Sequence, residues 1–342
     1  MNILPLADPR WSAFVQAHPA ATAFHHPDWA RLVADCYGFR GFALTTTDPS
    51  GQIRTGVPMV EVRHFGGRPR WVALPFTDYL PPLVSDQDEE SELAGGVREA
   101  AQQAGVRRVE VRGTLTGMSA TGLPAFRHVL ALDADAEVLY GRFHRSQVQR
   151  NIRRAEREGL SVRVGEQPED LLETFYDMHL HTRRRQGVPI QPRRFFRLIW
   201  ERALSKGLGS VLIVEAGDRP IAAGVFLSWN QTAIYKFGAS DWDARSMKPN
   251  HMMMWHAVRT ACEQGYRWLD FGRTDAGNEG LRSFKSSWGA REEPLVYGAI
   301  GAPSERAEAS AGTASRVLGA IIRRGPLMIC RATGELLYRY TA

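Results

Sequence analysis

Apolar residues along this 342-residue chain change their spacing in a repeated order. "DPRWSAFVQAH" and "HPDWARLVADCYG" place apolar positions three and four apart, which predicts two helices. "GFALTTT", "IRTGVPMVEVR" and "RWVALPF" predict strands, followed by a helix over about 86–104 and the strands "RRVEVRG" and "FRHVLAL". The second half repeats the scheme. "LSVRVGE" predicts a strand, and "EDLLETFYDMHLHTRRRQG" and "PRRFFRLIWERALSKG" predict helices. "GSVLIVEA", "PIAAGVFLSWN" and "TAIYKFGAS" are the next strands, the first two turning at "GDR". "PNHMMMWHAVRTACEQG" is a helix with Pro249 in its first turn and Gly265 beyond its end. The strand "YRWLDFG", a helix in "NEGLRSFKSSW" and the strand "PLVYGAI" complete the order.

This repetition predicts two similar α/β domains, 1–135 and 136–301, joined by a basic helix in "VLYGRFHRSQVQRNIRRAEREG". Residues 302–342 are expected to be a linker, "APSERAEASAGTAS", and an amphipathic segment, "RVLGAIIRRGPLMICRATGELLYRY". That segment either packs on the body, the favoured reading, or touches a membrane surface.

The pattern is violated at Lys285. On a helical wheel Leu281, Phe284 and Trp288 share one face, and Lys285 falls inside their arc. One reading is a lysine whose stem covers the core while its ammonium reaches water. The other is a partly desolvated cation held for chemistry.

Composition narrows the setting. The chain is 44% hydrophobic and 23% charged, with a net charge of +6 carried mostly by arginine. A basic balance suits an anionic partner such as nucleotide, RNA, phosphorylated substrate or anionic lipid, although a plain basic surface accounts for it equally. No run of about 18 apolar residues or signal-like start is present, and Cys36, Cys262 and Cys330 are scattered. A cytoplasmic protein is expected. The His pairs (His25 with His26, His179 with His181) lack metal-ligand spacing, so no metal is expected.

"DFGRTDAGNEGLRSFKSSWGAREEPLVY", "HTRRRQGVPIQPRRFF", "YKFGASDWDARSMKPNHMMMWHAV", "FHHPDWARLVADCYG" and "LPFTDYLPPL" occur in an order that resembles the FemAB-like and CelD-like acyltransferases of the GNAT superfamily. The resemblance spans roughly 10–300 and implies two tandem GNAT-like domains with mixed sheets that transfer an acyl group to an amine. FemAB members pass an aminoacyl group from charged tRNA to a peptidoglycan precursor. Other relatives act in exopolysaccharide or natural-product assembly. No tightly bound cofactor is implied, only a donor co-substrate: aminoacyl-tRNA or, alternatively, acyl-CoA. "GASDWDARSMKPN" departs from the glycine-rich turn that holds a pyrophosphate in acetyl-CoA-binding members, which favours a bulkier donor.

The resemblance carries an oxyanion-stabilising role to Lys285. Asp270 and Arg273 flank the strand end "LDFGRT", where ligands gather in open α/β sheets. Asp270 either positions the amine or Lys285 or caps the following turn, and Arg273 suits phosphate or carboxylate. Phe284, Trp288, Tyr235 and Asn250 are expected substrate contacts. Asn250 lies with Arg245 and Lys248 at a helix start suited to an anion, or to plain capping. Arg150, Arg153, Arg154 and Arg157 occupy one helical arc of about 100°, with Val148, Ile152 and Ala155 opposite. Arg183 and Arg184 lead a second cluster, and both clusters suit phosphates of a nucleotide- or lipid-linked precursor or of tRNA. Asp78 and Tyr79 follow a strand of the first domain, where relatives build an acceptor groove. No general base is evident. The rival from another class is a non-catalytic module that binds anionic glycan or RNA.

Overall fold

The computed structural model describes residues 1–63, 69–301 and 316–341; the expected linker 302–315 lies outside them. The chain forms two compact units, divided at Ala125 and Phe126, with residues 294–301 belonging to the first and the C-terminal helices, up to Tyr338, to the second.

The first unit runs β1 (Asn2–Pro5), α1 (Pro9–Ala17), α2 (Pro27–Tyr37), β2 (Arg40–Thr47), β3 (Ile53–Val62), β4 (Arg70–Val72), α3 (Gln87–Gln103) and β5 (Arg108–Val111). Its strands follow in the order β1-β2-β3-β4-β5, antiparallel except for the parallel pair β4 and β5. Helix starts are set locally. The Asp8 carboxylate accepts the Arg10 N–H ahead of Pro9, and Asp86 accepts the Glu89 N–H. Trp11, Trp29 and Trp71 are fully buried among these elements. β1 is absent from the sequence-based expectation, because "NILP" is too short to show alternation. β4 is shorter than "RWVALPF", since Leu74 and Phe76 take left-handed φ values of 43° and 66° and leave the sheet.

The second unit takes in part of β6 (Ser119–Ala131), then α4 (Ala136–Arg142), α5 (Arg150–Arg157), β7 (Leu160–Val164), α6 (Tyr176–Gln186), α7 (Arg193–Arg202) and β8 (Gly209–Ala216). β9 (Arg219–Trp229), β10 (Thr232–Ser240), α8 (Pro249–Glu263), β11 (Trp268–Asp275) and α9 (Glu279–Ser287) follow. β12 (Arg291–Ile300) sends Gly298–Ile300 to pair with β5 in the first unit. The order here is β6-β11-β10-β9-β8-β7, mixed because β10 and β11 are parallel. No described helix is long and apolar enough to cross a membrane.

The expected single helix over 138–159 is interrupted. α4 ends at Arg142, Phe143 turns extended, and a π-helical stretch, Arg145–Gln149, leads into α5. His144 forces the break by accepting the Gln147 N–H on its side chain, while its own N–H goes to the Ser287 carbonyl. The helical wheel still holds within α5: Val148, Ile152 and Ala155 are fully buried and the four arginines exposed. A helix over 316–324 (α10) and α11 (Leu327–Leu337) close the chain. α11 packs on α6, burying Cys330, Thr333 and Gly334. A Cβ on Gly334 would lie 1.8 Å from the Ile190 carbonyl oxygen, so only glycine allows that approach.

Two histidines of the expected pairs are structural. In the first unit His25 Nδ1 accepts the Thr22 N–H and Nε2 lies 2.8 Å from the Pro81 carbonyl, which fixes a neutral tautomer. In the second, His179 stacks on Phe175. Burial pushes His25 down to about 4 and His179 down to about 3. The unfolded chain binds these protons from about pH 6.5, so it gains protons first as pH falls. Stability is therefore expected to be flat above about pH 6.5 and to fall below it by about 1.4 kcal/mol per pH unit per histidine. Denaturant melts between pH 7 and pH 4 check this, with a shallower slope expected for His179→Asn.

Candidate active site

β10 and β11 pair in parallel over only three positions, Thr232–Ile234 with Trp268–Asp270, although both strands run on. In the same region β10 carries a bulge between Tyr235 and Phe237. Residues two apart in a strand normally share a face. Here Tyr235 packs on Phe226 and the core cluster that includes α8, whereas Phe237 contacts His179, Phe195 and Phe196 of α6 and α7. Burial raises the Tyr235 hydroxyl well above its ordinary pKa, so it stays protonated.

β11 holds Asp270, Gly272 and Arg273. Gly272 has φ 71°, a left-handed value that disfavours any side chain. Asp270 Oδ1 accepts the Gly272 N–H at 2.8 Å, the turn-capping arrangement, while Oδ2 accepts Arg127 Nε at 2.7 Å. On the other side of the glycine, Lys285 Nζ donates to the Gly272 carbonyl at 2.8 Å and to the Arg273 carbonyl at 3.2 Å. Asp270 and Lys285 therefore grip the two ends of one residue. Lys285 is 3% exposed and Asp270 4%. The water-reaching reading of Lys285 does not hold. Its ammonium is buried and solvated by backbone carbonyls instead.

α9 presents Lys285 because Asn278 caps its start through the Leu281 N–H and Trp288 is fully buried. Phe284 meets His251 and Trp288 edge-on, with ring centroids 5.3 Å and 6.2 Å apart. Leu281 departs from expectation: it is 36% exposed, since the arc buries only its Lys285–Trp288 end. His251, in the first turn of α8, lies 3.2 Å from Asn151 Nδ2, and burial pushes its ring down to about 4. It is neutral at pH 7, with Nε2 facing the Asn151 amide.

Several charged neighbours had no signal in the sequence. Arg127 also lies 3.6 Å from Glu293, and Arg282 pairs with Glu292 at 2.7 Å while stacking over Phe126. His128, fully buried, has Nε2 3.1 Å from Glu292 but off the line of a hydrogen bond. Burial, then the Lys285 charge, lowers its pKa. Only the adjacency of β6 and β11 brings Arg127 to Asp270, a distance of 143 residues along the chain.

The other expected residues are dispersed. Arg273 pairs with Asp275 at 2.7 Å. Asn250 is exposed in the first turn of α8, which follows Lys248 in a left-handed conformation, φ 65°. Before it, Trp242 stacks with Arg245 and Arg185 and helps line a pocket of about 440 Å³. Arg150 lines an open pocket of about 640 Å³ with Arg153 and Arg157, and Arg154 lies 3.5 Å from Glu158. Arg183 spends its guanidinium on the Pro189 carbonyl, and Arg184 is half-buried beside it. Asp78 and Tyr79 are in the first unit, where the Asp78 carbonyl accepts the Tyr297 hydroxyl and Tyr79 packs on Ala125, Leu295 and Tyr297. Among the described residues no group of three His, Cys, Asp or Glu is placed to hold a metal.

Residues 142–286, which hold β10, β11 and Lys285, match the acetyltransferase (GNAT) domain family. That segment, a little under half of the chain, is similar to GNAT acetyltransferases, and the fold as a whole is shared with the following structures. The structure of FemX superposes with a TM-score of 0.72 at 15% identity, covering 90% of this chain and 99% of that one. The C-terminal domain of a putative lysylphosphatidylglycerol synthetase from Agrobacterium fabrum gives 0.57 at 16%, covering 89% and 95%. A tandem GNAT protein from the clavulanic acid biosynthesis pathway gives 0.50 at 10%, covering 89% and 99%. No curated protein matches the sequence. The tandem GNAT-like architecture stands on these superpositions.

Replacing Arg127 by Met leaves the Asp270 carboxylate buried with a lone backbone donor. The expected cost is about 3 kcal/mol in denaturant unfolding, partly recovered in Arg127→Met/Asp270→Asn, which removes the buried charge and keeps an acceptor for the Gly272 N–H.

Proposed function

We propose that this acyltransferase passes an aminoacyl group from aminoacyl-tRNA to an amine of a peptidoglycan-type precursor. The observation that carries the reading is the buried Lys285 ammonium held on β11 just past the last residue that pairs with β10. The domains in this reading are 1–135 and 136–301, with 302–342 as an appended tail. Attack of the amine nitrogen on the ester carbonyl carbon places negative charge on the carbonyl oxygen. Collapse of that intermediate breaks the ester bond, releases the tRNA ribose hydroxyl and leaves an amide. Lys285 supplies positive charge to the oxyanion from a site of low dielectric, where reorganisation costs little. Asp270 holds Lys285 through Gly272, and Arg127 holds Asp270. The proton lost by the amine nitrogen goes to the departing ribose oxygen, so the step balances without a protein base.

In this scheme Phe284, next to Lys285 on α9, and Arg273, whose carbonyl accepts from Lys285, border the transferring groups. The exposed α5 arginines Arg150 and Arg154 contribute to binding an anionic nucleotide- or lipid-linked precursor. The turn "GASDWDARSMKPN" supports a donor other than acetyl-CoA. It carries no glycine beyond Gly238, its exposed Trp242 holds the Arg245 and Arg185 guanidinium groups against its ring, and the left-handed position is Lys248 rather than glycine.

Lys285→Met is expected to lower kcat by about 10²–10³ with KM little changed, since an oxyanion partner acts in the transition state. Unchanged turnover would remove the lysine from the chemistry. Digesting all tRNA with ribonuclease is expected to abolish activity. Activity that survives transfers the reading to an acyl-CoA donor.

A further inference from the structure

α10 and α11 bury little of their apolar surface. α10 turns Leu318, Gly319 and Ile322 inward, and α11 turns Cys330, Thr333 and Gly334 inward. What remains outward is apolar. Val317 and Ile321, four apart on α10, are about half exposed. Met328 is 78% exposed and Leu336 69%, eight apart on α11 with exposed Ala332 between them. Spacings of four and eight put each set on one helical stripe. A stripe facing water over two successive helices is uncommon in a soluble protein and marks a contact surface.

The charges beside the stripes say what the contact is with. Residues 316–338 hold four arginines, Arg316, Arg323, Arg324 and Arg331, and one acidic residue, Glu335. The Glu335 carboxylate already accepts the Arg193 backbone N–H at 3.0 Å. Arg323 donates to the Gln186 carbonyl, while Arg324 and Arg331 are exposed. An apolar stripe flanked by arginines, on helices too short to span a bilayer, has the chemistry of an element lying in a lipid headgroup layer. Phosphate headgroups complement the arginines, and acyl chains complement Met328 and Leu336.

We infer that α10 and α11 form a docking surface for an anionic membrane, with Val317, Ile321, Met328 and Leu336 entering the headgroup boundary and Arg324 and Arg331 meeting lipid phosphates. The inner side of the same helices holds the surface on the second unit, through the Cys330 thiol near the Val188 carbonyl and the close approach of Gly334 to Ile190. Docking of this kind is independent of which donor or acceptor the enzyme uses. It would place the catalytic unit beside any membrane-borne acceptor.

The test is flotation of the full chain with phosphatidylcholine vesicles, with and without phosphatidylglycerol. The expected result is co-flotation with the anionic vesicles, weakened by salt and at least tenfold weaker on phosphatidylcholine alone. Met328→Glu/Leu336→Glu and, separately, Arg324→Glu/Arg331→Glu are expected to reduce partitioning at least tenfold. All four positions are exposed, so circular dichroism and melting should be unchanged. Absence of flotation by the native chain, or partitioning that persists in both variants, overturns the inference. If sedimentation shows a dimer that Met328→Glu/Leu336→Glu dissociates while vesicle binding is unaltered, the surface is a self-association face and the inference also fails.

Discussion

A buried ammonium needs oxygen around it, and at Lys285 that oxygen is the backbone of β11. Taking a cation from water into a protein interior costs several kcal/mol. Two carbonyls offset part of this, but only if the strand turns them toward α9. The left-handed Gly272 provides that turn, and Asp270 fixes it by holding the Gly272 N–H. The carboxylate is buried too, so it requires Arg127. One desolvated charge thus dictates a glycine, a carboxylate and a guanidinium in two neighbouring strands. Beyond Asp270 the parallel pairing of β10 with β11 ends, and the charge network lies among β11, α9 and β6.

Much of this was legible from residue order, though not for the reason the helical wheel suggests. The wheel places Lys285 among apolar residues, and Trp288 and Phe284 do flank it. Its actual partners are carbonyls, which no side-chain periodicity reveals. Leu281 looked like part of the buried face because a wheel assumes a helix covered along its whole length. α9 is covered only over its last turn. The bond from the Gly272 N–H to the Asp270 side chain follows from "LDFG", but Asp270 is third in β11 rather than at a strand end, because the strand runs on to Asp275. Arg127 had no local signal, since its role exists only after β6 and β11 become neighbours.

Strands and helices with strong periodicity were read correctly in type, and the differences arise where local contacts override the pattern. The helix of 138–159 breaks because the His144 side chain caps a new start. "RWVALPF" stops being a strand where Leu74 and Phe76 turn left-handed. Net charge was the least informative quantity. Arginines counted alike in the sequence do different work: Arg183 braces the Pro189 loop and Arg282 pairs with Glu292, whereas Arg150, Arg153 and Arg157 line an open basic surface. Such a surface is available to phosphates, while the braced arginines hold the fold.

The most direct measurement of the central claim is nitrogen-detected NMR of the Lys285 ammonium in lysine-labelled protein, with an aminoacyl-adenosine amide added as a stable donor mimic and Lys285→Met used for assignment. A buried ammonium on two carbonyls that meets the acyl group predicts slow hydrogen exchange at Nζ and a resonance that moves as the mimic binds. An ammonium exchanging at the rate of a surface lysine, or one unmoved at saturation by both this mimic and an acyl-CoA, would contradict the account.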